Sequence, residues 1–118
     1  MMALRILVVE DEGLVALTLE DLLEDLGCEV VGSFGAMGQA LSFVASGAEL
    51  DGALLDVNVA GEPVYPVAEA LKARAVPFAF TTGYGQIADR RFESAPILGK
   101  PIRREALEQV LRAFESQR

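Results

Sequence analysis

Histidine and tryptophan are missing from this sequence, and cysteine occurs once, as Cys28. Without histidine the chain cannot build a Ser-His or Cys-His catalytic pair, nor a metal site with imidazole ligands. A single cysteine cannot form an internal disulfide. Cys28 lies in an apolar run, where we expect it to be a small buried hydrophobe.

Basic residues are also scarce, with 10 Lys+Arg against 18 Asp+Glu and a formal net charge of -8. Such a balance repels nucleic acids and anionic membranes, so we expect neither as a partner; a basic protein surface is an easier one. No run approaches the ~20 apolar residues of a membrane span, and residues 1–10 do not resemble a signal peptide. We therefore expect a cytoplasmic protein. Residues 1–118, of which 52% are hydrophobic, suffice for a single domain with a sizeable core, and we expect no effector domain.

Apolar runs of strand length alternate with helical patterns along the chain. The runs predict strands at residues 4–9, 28–34, 52–56, 77–81 and 95–99. Helical spacing predicts a first helix that ends before Gly27, a second over 37–45, a third opened by Pro63, a short fourth near 87–92, and a last one whose inner face includes Leu107 and Phe114. The alternation predicts an α/β fold, (βα)5, in which helices cover both faces of a parallel five-stranded sheet.

Polar residues stand where the predicted strands end. Glu10 and Asp11 follow the first strand, Asp56 ends the third, Thr82 follows the fourth and Lys100 follows the fifth. The carboxyl ends of parallel strands meet at one edge of the sheet, where ligands bind. Two carboxylates ~5 Å apart repel by roughly 3 kcal/mol at an effective dielectric near 20, and a hard divalent cation such as Mg²⁺ relieves that repulsion. With a hydroxyl and an amine beside them, the acids suit phosphoryl transfer to a carboxylate.

These strand-end motifs resemble those of response-regulator receiver domains, and the resemblance covers essentially the whole chain. Residues 8–12 (Val-Val-Glu-Asp-Glu) resemble the family's acidic pair, and residues 54–58 (Leu-Leu-Asp-Val-Asn) resemble its phosphoacceptor segment. Thr82-Gly83 matches the hydroxyl residue followed by a small one, and Lys100-Pro101 matches the family's Lys-Pro. The resemblance implies a doubly wound, flavodoxin-like sandwich with strand order 2-1-3-4-5.

The resemblance also assigns roles to individual residues. It implies that Asp56 accepts the phosphoryl group and that Thr82 and Lys100 contact it. The bond between Lys100 and Pro101 is cis in many family members. The implied ligands of a Mg²⁺ or Mn²⁺ ion are Asp11, Asp56, the backbone carbonyl of Asn58 and, through a coordinated water, Glu10.

The partners implied by the family are proteins. A sensor histidine kinase or a histidine phosphotransfer protein would supply the phosphoryl group, and a downstream protein target would receive the signal. The implied catalytic activity is limited to self-phosphorylation from the donor and slow autodephosphorylation. The module is expected to stand alone, and homodimerisation is left open.

The chain departs from the common receiver pattern in several places. Ile97 stands where most members have a switching aromatic residue, and Ala60 stands where many have proline. The interval from Thr82 to Lys100 is short, which indicates an abbreviated fourth helix. Phe80-Thr81-Thr82-Gly83-Tyr84-Gly85 resembles the Phe-x-Thr-Gly-type motif of an alphaproteobacterial subgroup, often paired with histidine kinases of the HWE or a related class. Tyr84 is then a candidate for part of the switching role.

Other interpretations stay open on the residues alone. The acids after the first strand could simply favour the N-terminus of the first helix. A Mg²⁺-dependent phosphohydrolase with an aspartate nucleophile would need a second acid, for which Glu62 is available, and usually a substrate-closing cap, which is absent. A pseudo-receiver that only binds partners is a further alternative. A flavodoxin-like FMN binder is disfavoured, because tryptophan and a Ser/Thr/Gly-rich phosphate loop after the first strand are missing.

Overall fold

The computed structural model describes residues 3–83 and 87–118. Within these ranges no helix combines the length and the apolar content needed to cross a membrane. The main elements follow one another along the chain as β1 (Arg5–Val9), α1 (Gly13–Asp25), β2 (Glu29–Phe34), α2 (Met37–Ala45), β3 (Gly52–Asp56), α3 (Tyr65–Ala73), β4 (Phe78–Thr82), β5 (Ile97–Gly99) and α4 (Arg104–Ser116).

The five strands form one sheet in the order β2-β1-β3-β4-β5, and all neighbouring strands are parallel. This confirms the predicted order 2-1-3-4-5 and the flavodoxin-like topology. The chain runs outward from β1 to β2, then returns past β1 to β3 and continues in the other direction. The switch point therefore lies between β1 and β3, whose carboxyl ends define the crevice where such folds bind ligands.

Alternate residues of the central strands supply two hydrophobic cores, one on each face of the sheet. Leu7 and Val9 of β1 pack on the face covered by α2 and α3, while Ile6 and Val8 pack on the face covered by α1 and α4. Gly52 is required beneath α4, because a Cβ there would lie 2.2 Å from Cδ2 of Phe114. Burial on both faces explains why these strands are continuous apolar runs.

The predicted element bounds hold in most places. Helix α2 and strand β3 match residue for residue, and Gly27 follows α1 with a φ of 86°, as a C′ glycine should. The prediction that Pro63 opens the third helix is wrong. Helix α3 begins at Tyr65, and Pro66 occupies the first turn, where a missing N–H is tolerated.

Pro63 instead belongs to a small hairpin that the apolar pattern did not indicate. Residues Asn58–Val59 pair antiparallel with Glu62–Pro63, and the backbone N–H of Val64 donates to the Val57 carbonyl at 2.8 Å. Ala60 and Gly61 form the turn with φ values of 51° and 82°, and positive φ at both central residues is the requirement of a type I′ turn. The hairpin thus follows Asp56 directly and shapes the loop at the sheet edge.

Replacing Ala60 by glycine should stabilise the protein by about 1 kcal/mol, because glycine adopts positive φ without the steric penalty that alanine carries. Chemical denaturation would measure the change in unfolding free energy. The matched control is Ala113→Gly within α4, which should destabilise by a similar amount, about 1 kcal/mol. Destabilisation by both replacements would contradict the left-handed conformation of Ala60.

The connection between β4 and β5 carries a 3-10 turn, Arg90–Phe92, and no α-helix among its described residues. The side chain of Asp89 caps this turn by accepting from the Arg91 N–H at 3.0 Å. The expectation of an abbreviated fourth helix is therefore confirmed, although the turn covers only part of the predicted range 87–92.

Candidate functional site

Four strands of the sheet deliver polar residues to its carboxyl edge. Glu10 and Asp11 follow β1, Asp56 is the last residue of β3, and Thr82 is the last residue of β4. Lys100 follows β5 directly, and its backbone N–H donates to the Thr82 carbonyl at 3.0 Å. The strands are parallel and adjacent, so the short segments after them lie at the same edge.

The three acids at this edge form a tight cluster. One carboxylate oxygen from each of Glu10, Asp11 and Asp56 lies within 4.8 Å of the others. The side chain of Glu10 is only 2% exposed and that of Asp56 only 13%. Glu10 also accepts a hydrogen bond from the backbone N–H of Glu12 at 3.1 Å, which orients its carboxylate.

Lys100 is the cation that faces this cluster. Its Nζ lies 2.8 Å from Oε1 of Glu10 and 3.2 Å from Oδ2 of Asp56. Burial disfavours the ammonium, but the contacts with both carboxylates outweigh it and raise the pKa of Lys100 above its ordinary value. The bond between Lys100 and Pro101 is cis. The two short distances show that the Lys100 amine points into the acidic cluster.

One lysine does not balance three acids, and Asp56 shows the imbalance. Burial, and then the negative charge of Glu10, raise the pKa of Asp56 to about 6, against the opposing effect of Lys100. An aspartate whose charged form is disfavoured in this way gains from any further positive charge placed beside it.

The hairpin after Asp56 also reaches the cluster. The N–H of Ala60 donates to Oδ2 of Asp11 at 3.0 Å, and the N–H of Asn58 lies 3.4 Å from Oδ1 of Asp56. These contacts link the loop of the predicted phosphoacceptor to the acid after β1. The role of the Asn58 carbonyl as a metal ligand stays a prediction.

The donor set fits a hard divalent cation. The three carboxylates, whose nearest oxygens lie within 4.8 Å of one another, offer only oxygen atoms, which Mg²⁺ and Mn²⁺ prefer. The chain has no histidine, and its one cysteine is not part of this cluster, so nothing here favours zinc. The cluster also holds surplus negative charge after its contact with Lys100. Binding of such an ion is chemically suited to the site and stays a prediction.

No model of a known protein family matches the chain. The phyllosphere-induced regulator PhyR of Methylorubrum extorquens is 35% identical over 106 residues, which cover 86% of this chain and 39% of PhyR. SdrG from Sphingomonas melonis Fr1 is 43% identical, and its solution structure superposes with a TM-score of 0.84 over 96% of this chain and 97% of SdrG.

Two further structures extend the comparison. The BeF3-activated conformation of SdrG from Pseudomonas melonis Fr1 is 45% identical, with a TM-score of 0.78 over 97% of this chain and 98% of that one. The PhyR response regulator REC domain of Erythrobacter litoralis is 26% identical, with a TM-score of 0.84 over 98% and 92% of the two chains. The chain belongs to the response-regulator receiver family. It spans about two fifths of the length of M. extorquens PhyR, with 39% covered.

The similarity of this receiver domain to PhyR and SdrG agrees with the alphaproteobacterial subgroup predicted from the Phe-x-Thr-Gly-type motif. Thr82 of that motif is buried at the end of β4. Ile97, at the usual aromatic position, is 38% exposed at the start of the edge strand β5. Tyr84, the predicted switch candidate, lies outside the described residues, so its role stays a prediction.

The receiver domain also contains a residue near the site that the sequence patterns did not single out. Tyr65 is the first residue of α3, and its ring packs against both Phe80 and Phe92, with centroid distances of 6.0 and 5.7 Å. Its hydroxyl accepts from the backbone N–H groups of Ala88 and Asp89 at 3.2 and 3.4 Å. No local sequence pattern at Tyr65 predicts contacts with residues so distant along the chain.

Another buried carboxylate, Asp51, lies away from the cluster and provides a comparison with Asp56. It lies at the opposite end of the sheet and accepts from the N–H of Arg5 at 2.8 Å and from its Nε at 3.2 Å, with Nε of Arg118 at 3.5 Å. Burial would raise the pKa of Asp51, but these contacts outweigh it and lower the pKa below its ordinary value. The cationic and hydrogen-bond contacts of Asp51 outweigh the effect of its burial, whereas those of Asp56 do not.

Proposed function

We propose that this receiver domain accepts a phosphoryl group on Asp56 from a histidine kinase or a histidine phosphotransfer protein. The observation that carries the proposal is the meeting of Glu10, Asp11, Asp56 and Lys100 at one sheet edge, with Lys100 within 3.2 Å of Asp56. The similarity to SdrG, which has a BeF3-activated conformation, supports it.

The reaction is a displacement at phosphorus. An Oδ atom of Asp56 attacks the phosphorus of a phosphohistidine, the P–O bond forms, the P–N bond breaks, and the imidazole leaves and takes up a proton. Lys100 would pair with a phosphoryl oxygen, and the Thr82 hydroxyl would donate to another. Hydrolysis of the acyl phosphate returns the aspartate and releases phosphate.

The residues that would hold a Mg²⁺ or Mn²⁺ ion are Asp11 and Asp56 directly, Glu10 through a water, and Asn58 through its carbonyl. When bound, such an ion neutralises the carboxylates and the charge that develops on the transferred phosphoryl oxygens. The hydrogen bond from Ala60 already orients Asp11 within the cluster.

Beryllofluoride, which stands in for a phosphoryl group on an aspartate, provides the test. With Mg²⁺ present, amide NMR signals of residues around Asp56 and Lys100 should shift in wild type and remain unchanged in Asp56→Asn. The control Asp25→Asn removes an exposed aspartate at the end of α1 and should respond like wild type. An unchanged wild-type spectrum, or an equal response of Asp56→Asn, would overturn the assignment.

An apolar surface next to the site suits the phosphodonor. Leu14 and Leu17 of α1 are 81% and 58% exposed, more than any other large apolar side chain among the described residues. A groove of about 270 Å³ runs from this helix to the residues after β5 and is lined by Leu14, Val15, Leu19, Leu22, Pro101 and Ile102. Lys100 also borders it, so a histidine-bearing helix seated there would lie close to Asp56.

Replacing Leu14 by serine should slow transfer from a histidine phosphotransfer protein about tenfold, because an apolar contact of this size contributes roughly 1 to 2 kcal/mol to docking. Phosphorylation by the small donor acetyl phosphate should be unchanged, since it needs no docking surface. The control is Ile97→Ser, which replaces an exposed apolar residue of β5 and should leave both rates unchanged. Equal loss with both donors would indicate damage to the site rather than to docking.

The output of this receiver is proposed to pass to another protein. The net charge of -8 disfavours direct binding of nucleic acid. Sustained turnover of a phosphate ester is not expected. Glu62, the acid considered for a phosphohydrolase, is an exposed residue of the hairpin, paired with Val59.

A further inference from the structure

The segment 87–92 lies between β4 and β5, where most receiver domains have their fourth helix. Side chains of α3 contact this segment directly. The Tyr65 hydroxyl accepts from the N–H groups of Ala88 and Asp89 at 3.2 and 3.4 Å. The Tyr65 ring stacks on Phe92 with an interplanar angle of 11°. Glu69, one turn further along α3, lies 3.4 Å from Nη1 of Arg91. Apart from the 3-10 turn at Arg90–Phe92, the described residues of this segment form no helix, so these contacts from α3 help to hold it in place.

Tyr65 is also connected to the phosphoacceptor through a short series of bonds. Val57, which follows Asp56, accepts at its carbonyl from the N–H of Val64 at 2.8 Å, and Val64 precedes Tyr65 in the chain. The N–H of Val57 donates to the Thr81 carbonyl at 3.2 Å. A shift of the backbone at Asp56 or at the end of β4 would therefore be transmitted to the start of α3.

The ring of Tyr65 makes a second connection to β4. It meets Phe80 edge-on, with centroids 6.0 Å apart and planes inclined by 79°. Phe80 is fully buried and lies two residues before Thr82, the residue predicted to contact the phosphoryl group. Tyr65 thus contacts the strand that leads into the site and also the segment that follows it.

We propose that Tyr65 is the positioning residue that couples the phosphorylation state of Asp56 to the segment 87–92. Its hydroxyl holds that segment in the resting arrangement, and its release accompanies the rearrangement of the site around the phosphoryl group. This proposal rests on the proposed function of Asp56. It supplies a switching contact in a receiver where Ile97 occupies the usual aromatic position.

Coupling of this kind has a thermodynamic consequence. If the hydroxyl favours the resting arrangement, removing it must favour the phosphorylated arrangement by the same free energy. Two long, partly exposed hydrogen bonds should together be worth about a fivefold change in equilibrium. A tyrosine that serves only as packing would show no such effect when its ring is kept.

The test compares Tyr65→Phe, which removes the hydroxyl and keeps the ring, with wild type. Without ligand, amide hydrogen exchange of Ala88 and Asp89 should become about fivefold faster in the variant. In a beryllofluoride titration with Mg²⁺, the midpoint should fall about fivefold, while the shifts around Asp56 keep their size. Ser116→Ala removes a hydroxyl bonded within α4 and is the control; its exchange and midpoint should equal those of wild type.

Unchanged exchange at Ala88 and Asp89 in Tyr65→Phe would show that the Tyr65 hydroxyl does not hold the segment 87–92. An unchanged midpoint would show that the hydroxyl is not coupled to the site around Asp56. Failure of the proposed function gives a different result. In that case wild type itself would show no beryllofluoride response at Asp56. The exchange comparison would still report on the hydrogen bonds between Tyr65 and the segment 87–92.

Discussion

Without divalent cations, Asp56→Asn should be more stable than wild type by about 1 to 3 kcal/mol at neutral pH. The native fold places the Asp56 carboxylate beside Glu10 in a largely buried cluster, which raises the pKa of Asp56 to about 6. Asparagine removes that repulsion at nearly constant size. Urea denaturation in the presence of a chelator measures the difference in unfolding free energy.

The same effect should depend on pH with a defined sign. The pKa of Asp56 is higher in the folded state than in the unfolded chain, so the folded protein binds this proton more tightly. Wild type is therefore penalised above about pH 6, and the penalty disappears as the pH falls towards about 4. The stability advantage of Asp56→Asn should shrink over that interval. A constant advantage, or a loss of stability in Asp56→Asn, would contradict the crowded cluster.

Lys100→Met should destabilise the metal-free protein by about 3 kcal/mol, because it leaves a buried carboxylate without its cation. Methionine keeps most of the apolar stem, so the effect isolates the ammonium that lies 2.8 Å from Glu10 and 3.2 Å from Asp56. Added Mg²⁺ should recover part of the loss, since it supplies positive charge to the same carboxylates. Denaturation with and without Mg²⁺ measures both effects.

The other lysine of the chain provides the matched control for that substitution. Lys72 is exposed and has its Nζ 5.9 Å from the centroid of Phe92, far from the acidic cluster. Lys72→Met should change stability little and should not alter the response to Mg²⁺. If Lys100→Met behaved like Lys72→Met, the ion pairs with Glu10 and Asp56 would contribute nothing to the fold.

The sequence was sufficient to predict the sheet and most of the site, because both depend on periodicity and on topology. The apolar runs of β1 and β3 are continuous, which is typical of strands buried on both faces of a sheet. Parallel strands bring their carboxyl ends to one edge of the sheet. Glu10 and Asp11 come just after β1, Asp56 ends β3 and Lys100 follows β5. Their proximity therefore required no knowledge of loop conformation.

The features that escaped prediction depend on loops and on contacts between distant residues. The hairpin after Asp56 is short and centred on Ala60, an unfavourable residue for positive φ, so neither propensity nor turn chemistry indicated it. Tyr65 reaches Ala88 across a loop whose path only the tertiary structure defines. The start of α3 was misplaced for a related reason. Pro63 and Pro66 could each have opened the helix, but Pro63 lies in the hairpin and Pro66 lies in the first turn of α3.

The central claim is that the acids and the lysine at the sheet edge form a phosphoacceptor site with Asp56 as the acceptor. The most direct test is incubation with acetyl phosphate and Mg²⁺, followed by mass spectrometry of the intact protein and of its peptides. We expect one phosphoryl group per chain, located on Asp56 and absent when Mg²⁺ is chelated. No incorporation, or incorporation on another residue with Asp56 unmodified, would contradict the claim.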